Sequence, residues 1–224
     1  MKFIINSNIN YYKVTFERVC NSLISSGADP SNIYFIVGGF NKYRKVDNAL
    51  GVHLYEASHS SFDNTALISI FDLGLESDYW FFLHDTVELG TNFYSIVMSK
   101  YDKCEKIPLT SEGASNNIGS FSFEYLLSRK DEIMSFRNTD YSPEAFTRLK
   151  YDIIIKEDYL VRPFEQRHTP PEVAYNNSPR FANYNNPIDY YDTGVMRVIE
   201  YYPDVDLYKI KANWSLSDSP VTNL

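Results

Sequence analysis

The apolar run at residues 79–83, with the letters YWFFL, constrains the fold of this chain more than any other feature. Its side chains do not alternate between apolar and polar, which is typical of a β-strand buried on both faces. The polar residues His84, Asp85 and Thr86 follow it directly. Such a strand needs a cover on each face, so we expect it to be a central strand of a sheet that has helices on both sides.

The first hundred residues alternate short apolar runs with amphipathic stretches, as in a mostly parallel sheet covered by helices. Strands are predicted at residues 2–6, 33–37 and 52–56. Apolar residues spaced four, three and four apart predict a helix between the first two strands, and Gly27 provides its C-terminal stop. The apolar stripe of this helix consists of Tyr12, Phe16, Val19 and Leu23.

A second helix is predicted to begin near Ser60 or Ser61, either of which would be its N-cap, and to end at Gly74. The other predicted elements are a helix over 92–100, strands over 106–110 and 118–125, a helix over 130–136 and a helix from Ser142 to near Asp158.

The last third of the chain has a different character. Five prolines between residues 163 and 187 are separated mainly by polar and aromatic residues with little periodicity. The segment contains too much Tyr, Phe and Val for a solvated linker. We therefore expect a single α/β domain, with a core over residues 1–162 and an irregular C-terminal segment over 163–224 packed on it.

Composition and charge exclude several classes of protein. The net charge of −8, without a block of basic residues, argues against nucleic acid as a partner. No stretch of about 18 apolar residues occurs, so no transmembrane segment is predicted, and the apolar run at the N-terminus is too short for a signal peptide. Cys20 and Cys104 have no metal-like spacing and are expected to be reduced thiols. We expect a cytoplasmic protein.

The functional candidates follow from the ends of the predicted strands. Glycine-rich dinucleotide, P-loop and hydrolase nucleophile motifs are absent from the sequence. In open α/β sheets, ligands bind outside the carboxyl ends of the strands, where amides and hydroxyls suit a base and ribose and acidic residues suit a metal. The residues at these ends are Asn6, Ser7 and Asn8, then Gly38 and Gly39, then Glu56, Ser58 and His59, and finally His84, Asp85, Thr86 and Glu88.

Residues 79–89, YWFFLHDTVEL, resemble the strand and Asp-x-Asp signature of GT-A glycosyltransferases of the family 2 type. The order of elements extends the resemblance over about residues 1–158. His84 and Thr86 stand where that signature has its aspartates, which leaves Asp85 as the carboxylate of a degenerate motif. The resemblance implies an enzyme that transfers a sugar from a nucleotide-diphosphate sugar to a glycan or other hydroxyl acceptor. It also implies a divalent cation, Mn²⁺ or Mg²⁺, on the donor diphosphate.

The same resemblance implies roles for individual residues. Asp85, helped by His84 or Glu88, would hold the metal, with His168 from a C-terminal loop as an additional ligand. Asp63 and Asn64 occupy the polar position that faces the nucleotide in this family. The nucleotide-sugar site would thus contain Asn6, Ser7, Asn8, Gly38, Gly39, Asp63, Asn64, His84 and Asp85.

An inverting transferase needs a carboxylate that removes the proton of the acceptor hydroxyl. The candidates are Asp140, Glu144, Glu157 and Asp158. The pair Glu157 and Asp158 resembles the acidic pair found late in the catalytic core of inverting GT-A enzymes, so Asp158 is the first choice.

Simpler interpretations stay open at this stage. Asp85 could be the N-cap of a short turn, and Gly38 and Gly39 could form an ordinary turn. Two other functions fit the pattern: a catalytically inactive GT-A-like binding or assembly module, and a sugar-phosphate nucleotidyltransferase. The latter usually carries a basic glycine-rich loop after its first strand, where this chain has Asn6 to Asn10. The sequence leaves open the sugar, the base, the acceptor, the stereochemistry and the oligomeric state.

Overall fold

The computed structural model describes residues 1–61, 64–100, 105–106, 118–138, 196–202 and 205–212. The strands of the larger sheet are β1 (Lys2–Asn8), β2 (Ile33–Gly38), β3 (Arg44–Val46), β4 (His53–Glu56), β5 (Tyr79–His84), β7 (Glu105–Lys106) and β8 (Gly119–Ser122). Strands β6 (Val87–Leu89), β9 (Met196–Tyr202) and β10 (Leu207–Ala212) form a second, three-stranded sheet. The helices are α1 (Tyr12–Ser25), α2 (Thr65–Asp72), α3 (Phe93–Lys100), α4 (Phe123–Ser128) and α5 (Lys130–Ser135).

The larger sheet has the strand order β3-β4-β2-β1-β5-β8-β7. Its four inner strands β4, β2, β1 and β5 are mutually parallel. The flanking strands β3, β8 and β7 pair in the antiparallel sense. The predicted α/β fold, with a central, mostly parallel sheet and helices, is therefore confirmed.

The inner strands are buried on both faces, as their continuous apolar runs predict. Neighbouring residues of each strand point to opposite faces, so alternate residues of a strand belong to two different hydrophobic cores. One core packs under α1 and α3 and contains Phe3, Ile5, Phe35, Val37, Phe81 and Leu83. The other packs under α2, α4 and α5 and contains Ile4, Ile36, Trp80 and Phe82.

The helix after β4 begins later than the sequence predicts. Ser60 and Ser61 are not its N-cap, because α2 starts at Thr65 with Asn64 in the capping position. The backbone N–H of Ser61 donates to Thr65 Oγ1 at 2.8 Å, and its hydroxyl lies 2.7 Å from His59 Nδ1. These contacts hold Ser61 in a loop ahead of the helix, which explains why the prediction was wrong.

The predicted strand over 118–125 is also too long. It ends at Ser122, whose hydroxyl accepts from the backbone N–H of Tyr125 at 3.1 Å and so caps α4. The sequence pattern also misses β3, β6, β9 and β10. The first two have three residues each, which is too short for a periodicity to register.

Part of the C-terminal segment forms ordered strands that the sequence does not predict. Strand β10 pairs with both β9 and β6, and thus joins this segment to the chain that follows β5. Asp206, in the left-handed region with a φ of 51°, accepts from the backbone N–H of Asn92 at 2.9 Å, just before α3. The predicted helix from Ser142, and the part of the predicted strand 106–110 beyond Lys106, lie outside the described residues.

Two minor predictions concern the cysteines and the membrane. Cys20 is a free, fully buried thiol, and its burial raises its pKa, while Cys104 lies outside the described residues. No helix in the described part of the chain is long and apolar enough to cross a membrane.

A glycine at position 39 is required by the packing of two loops, and this can be tested. Gly39 has a φ of +103°, and an added Cβ would lie 2.9 Å from Ile9 Cγ2. Gly74 also has a positive φ, of +59°, but an added Cβ would meet nothing within 4 Å. Gly39→Ala should lower the free energy of unfolding by about 2 kcal/mol or more, and Gly74→Ala by about 1 kcal/mol. Urea denaturation measures both variants, and equal losses in their free energies of unfolding would show that Ile9 and Gly39 are not tightly packed.

Candidate functional site

The larger sheet has a topological switch point between β1 and β5. The chain leaves β1 through α1 toward β2 on one side, and it reaches β5 on the other side through α2. The two strands are adjacent and in register, with Asn6 opposite His84. Connections that diverge from neighbouring parallel strands open a crevice at their carboxyl ends, where ligands bind in open α/β sheets.

Asp85 lies at the carboxyl end of β5 and binds three parts of the fold together. Its Oδ2 accepts from the Ser7 hydroxyl at 2.5 Å and from the Thr15 hydroxyl at 2.8 Å, and its backbone N–H donates to the carbonyl of Asn6 at 3.0 Å. Only 8% of the residue is exposed. The carboxylate therefore connects β1, the second turn of α1 and β5.

Asn6 performs the equivalent role on the other face of the sheet. Its Oδ1 accepts from the backbone N–H of Ala66 at 2.9 Å, and so satisfies one of the free donors at the start of α2. Asn6 and Ser7 point to opposite faces because they are consecutive in a strand. Consequently the end of β1 holds α1 through Ser7 and Asp85, and α2 through its own amide.

Two further predicted residues lie beside Asn6. His84 is 7% exposed, and its ring packs edge-on against Phe82 with centroids 5.4 Å apart. Asn64 is fully buried at the start of α2, and neither atom of its amide has a hydrogen-bond partner in the described part of the chain. A buried amide without partners is costly, so Asn64 is an unsatisfied polar group among the described residues of this edge.

The loops after β1, β2 and β4 are connected at the same edge. The N–H of Ile9 donates to the carbonyl of Gly38 at 2.9 Å, and the N–H of Gly39 donates to the carbonyl of His59 at 3.0 Å. Asn8 Nδ2 donates to Ser60 Oγ at 3.3 Å. An added Cβ at Gly38 would lie 3.0 Å from Thr65 Cγ2. Packing between loops thus accounts for both glycines, whether or not a ligand also contacts them.

Two helix N-termini point to this edge, where the Asp85 carboxylate beside α1 and the amide oxygen of Asn6 at α2 offset part of their dipoles. Neither α1 nor α2 has a side-chain hydrogen bond at its N-cap or an acidic residue in its first turn. The free N–H groups and the positive end of the dipole favour an anion. The partly buried Tyr11 precedes α1, and burial and the negative charge of Asp85 raise the pKa of its phenol.

The structure brings some predicted residues together and separates others. Asn6, Ser7, Asn64, His84 and Asp85 share the carboxyl edge of β1 and β5, and their functional roles stay predictions. Glu56 is instead engaged by Arg44, whose Nε and Nη2 donate to its two oxygens at 2.8 and 2.7 Å. Glu88 lies in β6 opposite Tyr208.

The remaining candidates lie outside the described residues: Asp63, Asp140, Glu144, Glu157, Asp158 and His168. Within the described ranges, no three His, Cys, Asp or Glu residues are grouped so that they could hold a metal ion.

Thr15 is part of the site that sequence reasoning missed. It is buried, and it contacts a carboxylate 70 positions away in the sequence. No local sequence pattern predicts a hydrogen bond between residues so far apart. A polar residue on the apolar side of a helix does indicate, however, that it has a buried hydrogen-bond partner.

Asp85 is expected to contribute to folding as well as to any ligand binding. Asp85→Ala would leave the buried Ser7 hydroxyl without its acceptor and the Thr15 hydroxyl with only the carbonyl of Tyr11 at 3.3 Å, so we expect a loss of about 2 to 3 kcal/mol in the free energy of unfolding. Asp85→Asn retains an acceptor oxygen and should cost about 1 kcal/mol. Asp78→Asn, at an exposed position before β5, is the control and should change stability by less than about 0.5 kcal/mol. Urea denaturation measures all three, and an Asp85→Ala value near the control would refute the role of the hydroxyl contacts.

Comparisons with known proteins found structural similarity only. No family model and no curated protein matches the chain. Among solved structures, S. aureus TarS is similar with a TM-score of 0.38 and 11% identity, over 58% of this chain and 30% of that chain. TarS 1-349 in complex with UDP-GlcNAc has a TM-score of 0.36 and 13% identity, over 58% and 48% of the two chains. The apo form of the glycosyltransferase GlyE from Streptococcus pneumoniae TIGR4 has a TM-score of 0.34 and 10% identity, over 77% and 55%. The chain thus spans between 30% and 55% of the length of these proteins.

Proposed function

We propose that the chain is a glycosyltransferase of the GT-A type that binds a nucleotide-diphosphate sugar at the carboxyl ends of β1 and β5. The observation that carries this proposal is the switch point itself, where Asn6 and His84 are in register and Asp85 follows. Polar side chains that end two neighbouring apolar strands at a switch point are suited to a nucleotide ligand.

The charges at this edge support a diphosphate that binds together with a divalent cation. The N-termini of α1 and α2 attract the anionic ligand, but the carboxylate of Asp85 lies at the same place and repels it. A divalent cation held by Asp85 would remove this conflict, because it would supply positive charge to the ligand. Mg²⁺ and Mn²⁺ are commonly held by one or two protein ligands together with substrate phosphates and water.

Asp85 is the described residue that would hold this cation, and His168 is the proposed additional ligand. His84 precedes Asp85 and its ring lies on the other face of the sheet, against Phe82, so it would join them only by turning toward the edge. When bound, the cation would neutralise the charge that develops on the departing nucleoside diphosphate. Asp85 would bind it while its Oδ2 keeps the hydroxyls of Ser7 and Thr15, which fix the orientation of the carboxylate.

The nucleoside would contact the edge formed by β1 and α2. The amide of Asn64, buried and without a partner among the described residues, offers one acceptor and two donors to a base or ribose. Asn6, Ser7, Asn8, Gly38, Gly39 and Asp63 complete the proposed nucleotide-sugar contacts. The acceptor hydroxyl would be activated by a carboxylate between residues 140 and 158, of which Asp158 is the first choice, in a single displacement with inversion.

One observation favours a second candidate function, an inactive binding or assembly module with this fold. The contacts of Asp85 with Ser7 and Thr15 are sufficient to explain why a carboxylate is buried there without any metal. The two functions differ in whether a nucleotide binds in a metal-dependent way.

A thermal-shift panel of nucleoside diphosphates and nucleotide sugars, with and without Mn²⁺, tests the proposal. UDP and UDP-GlcNAc, which are bound in two structures of TarS 1-349, belong in the panel. A ligand at 100 times its dissociation constant should add about 2.7 kcal/mol to the free energy of unfolding. We expect such a shift with one nucleotide in the presence of Mn²⁺, and its loss in Asp85→Asn.

Thr15→Val provides the matched control for Asp85→Asn. It removes one hydroxyl from the same hydrogen-bond cluster and keeps the carboxylate, so its stability loss should be similar while the nucleotide shift remains. If no nucleotide shifts the wild-type protein, the binding-module function replaces the transferase. If Thr15→Val and Asp85→Asn lose the shift equally, Asp85 has a structural role only.

A further inference from the structure

A second polar cluster lies beside the proposed site and contains Ser61, His59, Tyr43 and Asp72. Tyr43 Oη lies 2.8 Å from His59 Nε2 and 2.5 Å from Asp72 Oδ2, and His59 Nδ1 lies 2.7 Å from Ser61 Oγ. Three separate segments contribute to it: the loop before β3, the loop after β4 and the end of α2. Arg137 pairs with the other oxygen of Asp72, Oδ1.

The chemistry of the groups fixes the direction of each hydrogen bond. The carboxylate of Asp72 only accepts, so the single phenolic proton of Tyr43 points to it. Tyr43 Oη must then accept from His59, which places the imidazole proton on Nε2. His59 Nδ1 is consequently an acceptor, and the Ser61 hydroxyl donates to it. The cluster is therefore one directed chain from Ser61 through His59 and Tyr43 to Asp72.

These hydrogen bonds require a neutral His59 and a protonated Tyr43, and the surroundings of both side chains favour these states. Burial and the nearby Arg137 lower the pKa of His59, although Asp72 acts in the opposite direction, so the imidazole is neutral near pH 7. Burial and the hydrogen bond to Asp72 raise the pKa of Tyr43, so the phenol keeps its proton. The side chains of His59 and Asp72 are only 9% and 14% exposed.

The Ser61 end of this chain of hydrogen bonds lies in the loop that leads into the proposed nucleotide site. The carbonyl of Ser61 accepts from the N–H of Asn64 at 3.0 Å, and the N–H of Ser61 donates to Thr65 Oγ1 at 2.8 Å. The next residue of α2, Ala66, is held by Asn6. The orientation of Ser61 therefore sets where α2 begins and where the amide of Asn64 lies.

We propose that Tyr43 is a positioning residue for the nucleotide site, which acts through His59 and Ser61 on Asn64 and the N-terminus of α2. This inference rests on the proposed function. Without the Tyr43 hydroxyl, the partner left to His59 Nε2 in the cluster is Asp72 Oδ2 at 3.6 Å, which is too far for a hydrogen bond. The tautomer that keeps Nδ1 an acceptor for Ser61 is then held less firmly. The loop then loses the hydrogen bond that defines its conformation, although Tyr43 touches no ligand itself.

Tyr43→Phe and Tyr34→Phe form a matched pair for the test, because each removes one phenolic oxygen. The Tyr34 hydroxyl, in β2, accepts from Lys2 Nζ at 3.4 Å and, among the described residues, makes no hydrogen bond to the loop after β4. The measurements are the dissociation constant of UDP with Mn²⁺, hydrogen exchange of amides 57–61 and 64–66 without ligand, and the ¹⁵N spectrum of the His59 ring.

In Tyr43→Phe we expect at least about fivefold weaker nucleotide binding and at least about fivefold less exchange protection of these amides. The Nε2–H tautomer signature of His59 should also be lost. Tyr34→Phe should stay within about twofold of the wild type in both binding and protection. Unchanged loop protection and unchanged affinity in Tyr43→Phe would overturn the inference.

The outcomes separate this inference from the proposed function. If wild-type protein binds no nucleotide, the proposed function fails, and with it the role of Tyr43 in binding, while exchange still shows whether Tyr43 holds the loop. If nucleotide binds and the loop loosens in Tyr43→Phe without a loss of affinity, the proposed function stands and the positioning role is wrong.

Discussion

The burial of the Asp85 carboxylate is the constraint on which the carboxyl edge of the sheet depends. A charge that is removed from water must be compensated by hydrogen bonds, and here the donors are the hydroxyls of Ser7 and Thr15. The backbone of Asp85 is in turn bound to Asn6. Because these partners come from β1 and α1, and Asp85 itself follows β5, the requirement of one side chain fixes the relative positions of three elements.

The same edge shows how a fold can be held together by the groups that would bind a ligand. Asn6 holds the start of α2, and Ser7 holds the carboxylate that contacts α1. The site residues are therefore preorganised by secondary structure, with little freedom left in their side chains. A ligand at this edge would contact strand ends and helix N-termini as well as the loops that follow β2 and β4.

The inner strands of the sheet could be predicted because burial on both faces leaves a continuous apolar run, as in residues 33–37 and 79–83. The flanking strand β3 could not, because Arg44 and Lys45 are exposed and the strand has only three residues. The start of α2 was misplaced since Ser61 has the chemistry of an N-cap but uses its hydroxyl for His59. Tertiary contacts decided that position, and local preferences did not.

The candidate site, like the fold, could be predicted from the sequence only in part. The meeting of Asn6 with His84 and Asp85 follows from strand order, so polar residues at strand ends were sufficient to predict it. Thr15 and the chain from Ser61 to Asp72 were missed, because their partners are far apart in sequence and become neighbours only when helices pack on the sheet. Asn64 was predicted by resemblance, and only the structure shows that its amide is buried and has no partner in the described part of the chain.

Paramagnetic broadening by Mn²⁺ in the presence of a nucleoside diphosphate tests the central claim most directly. A metal-nucleotide site at the switch point should broaden the amide signals of Asn6, Ser7 and Asp85 at stoichiometric Mn²⁺, and should broaden those of β3, at the edge of the sheet, much less. Chelation of the metal should restore them. Broadening that is absent, or that is confined to residues away from the ends of β1 and β5, would contradict a metal-nucleotide site at this switch point.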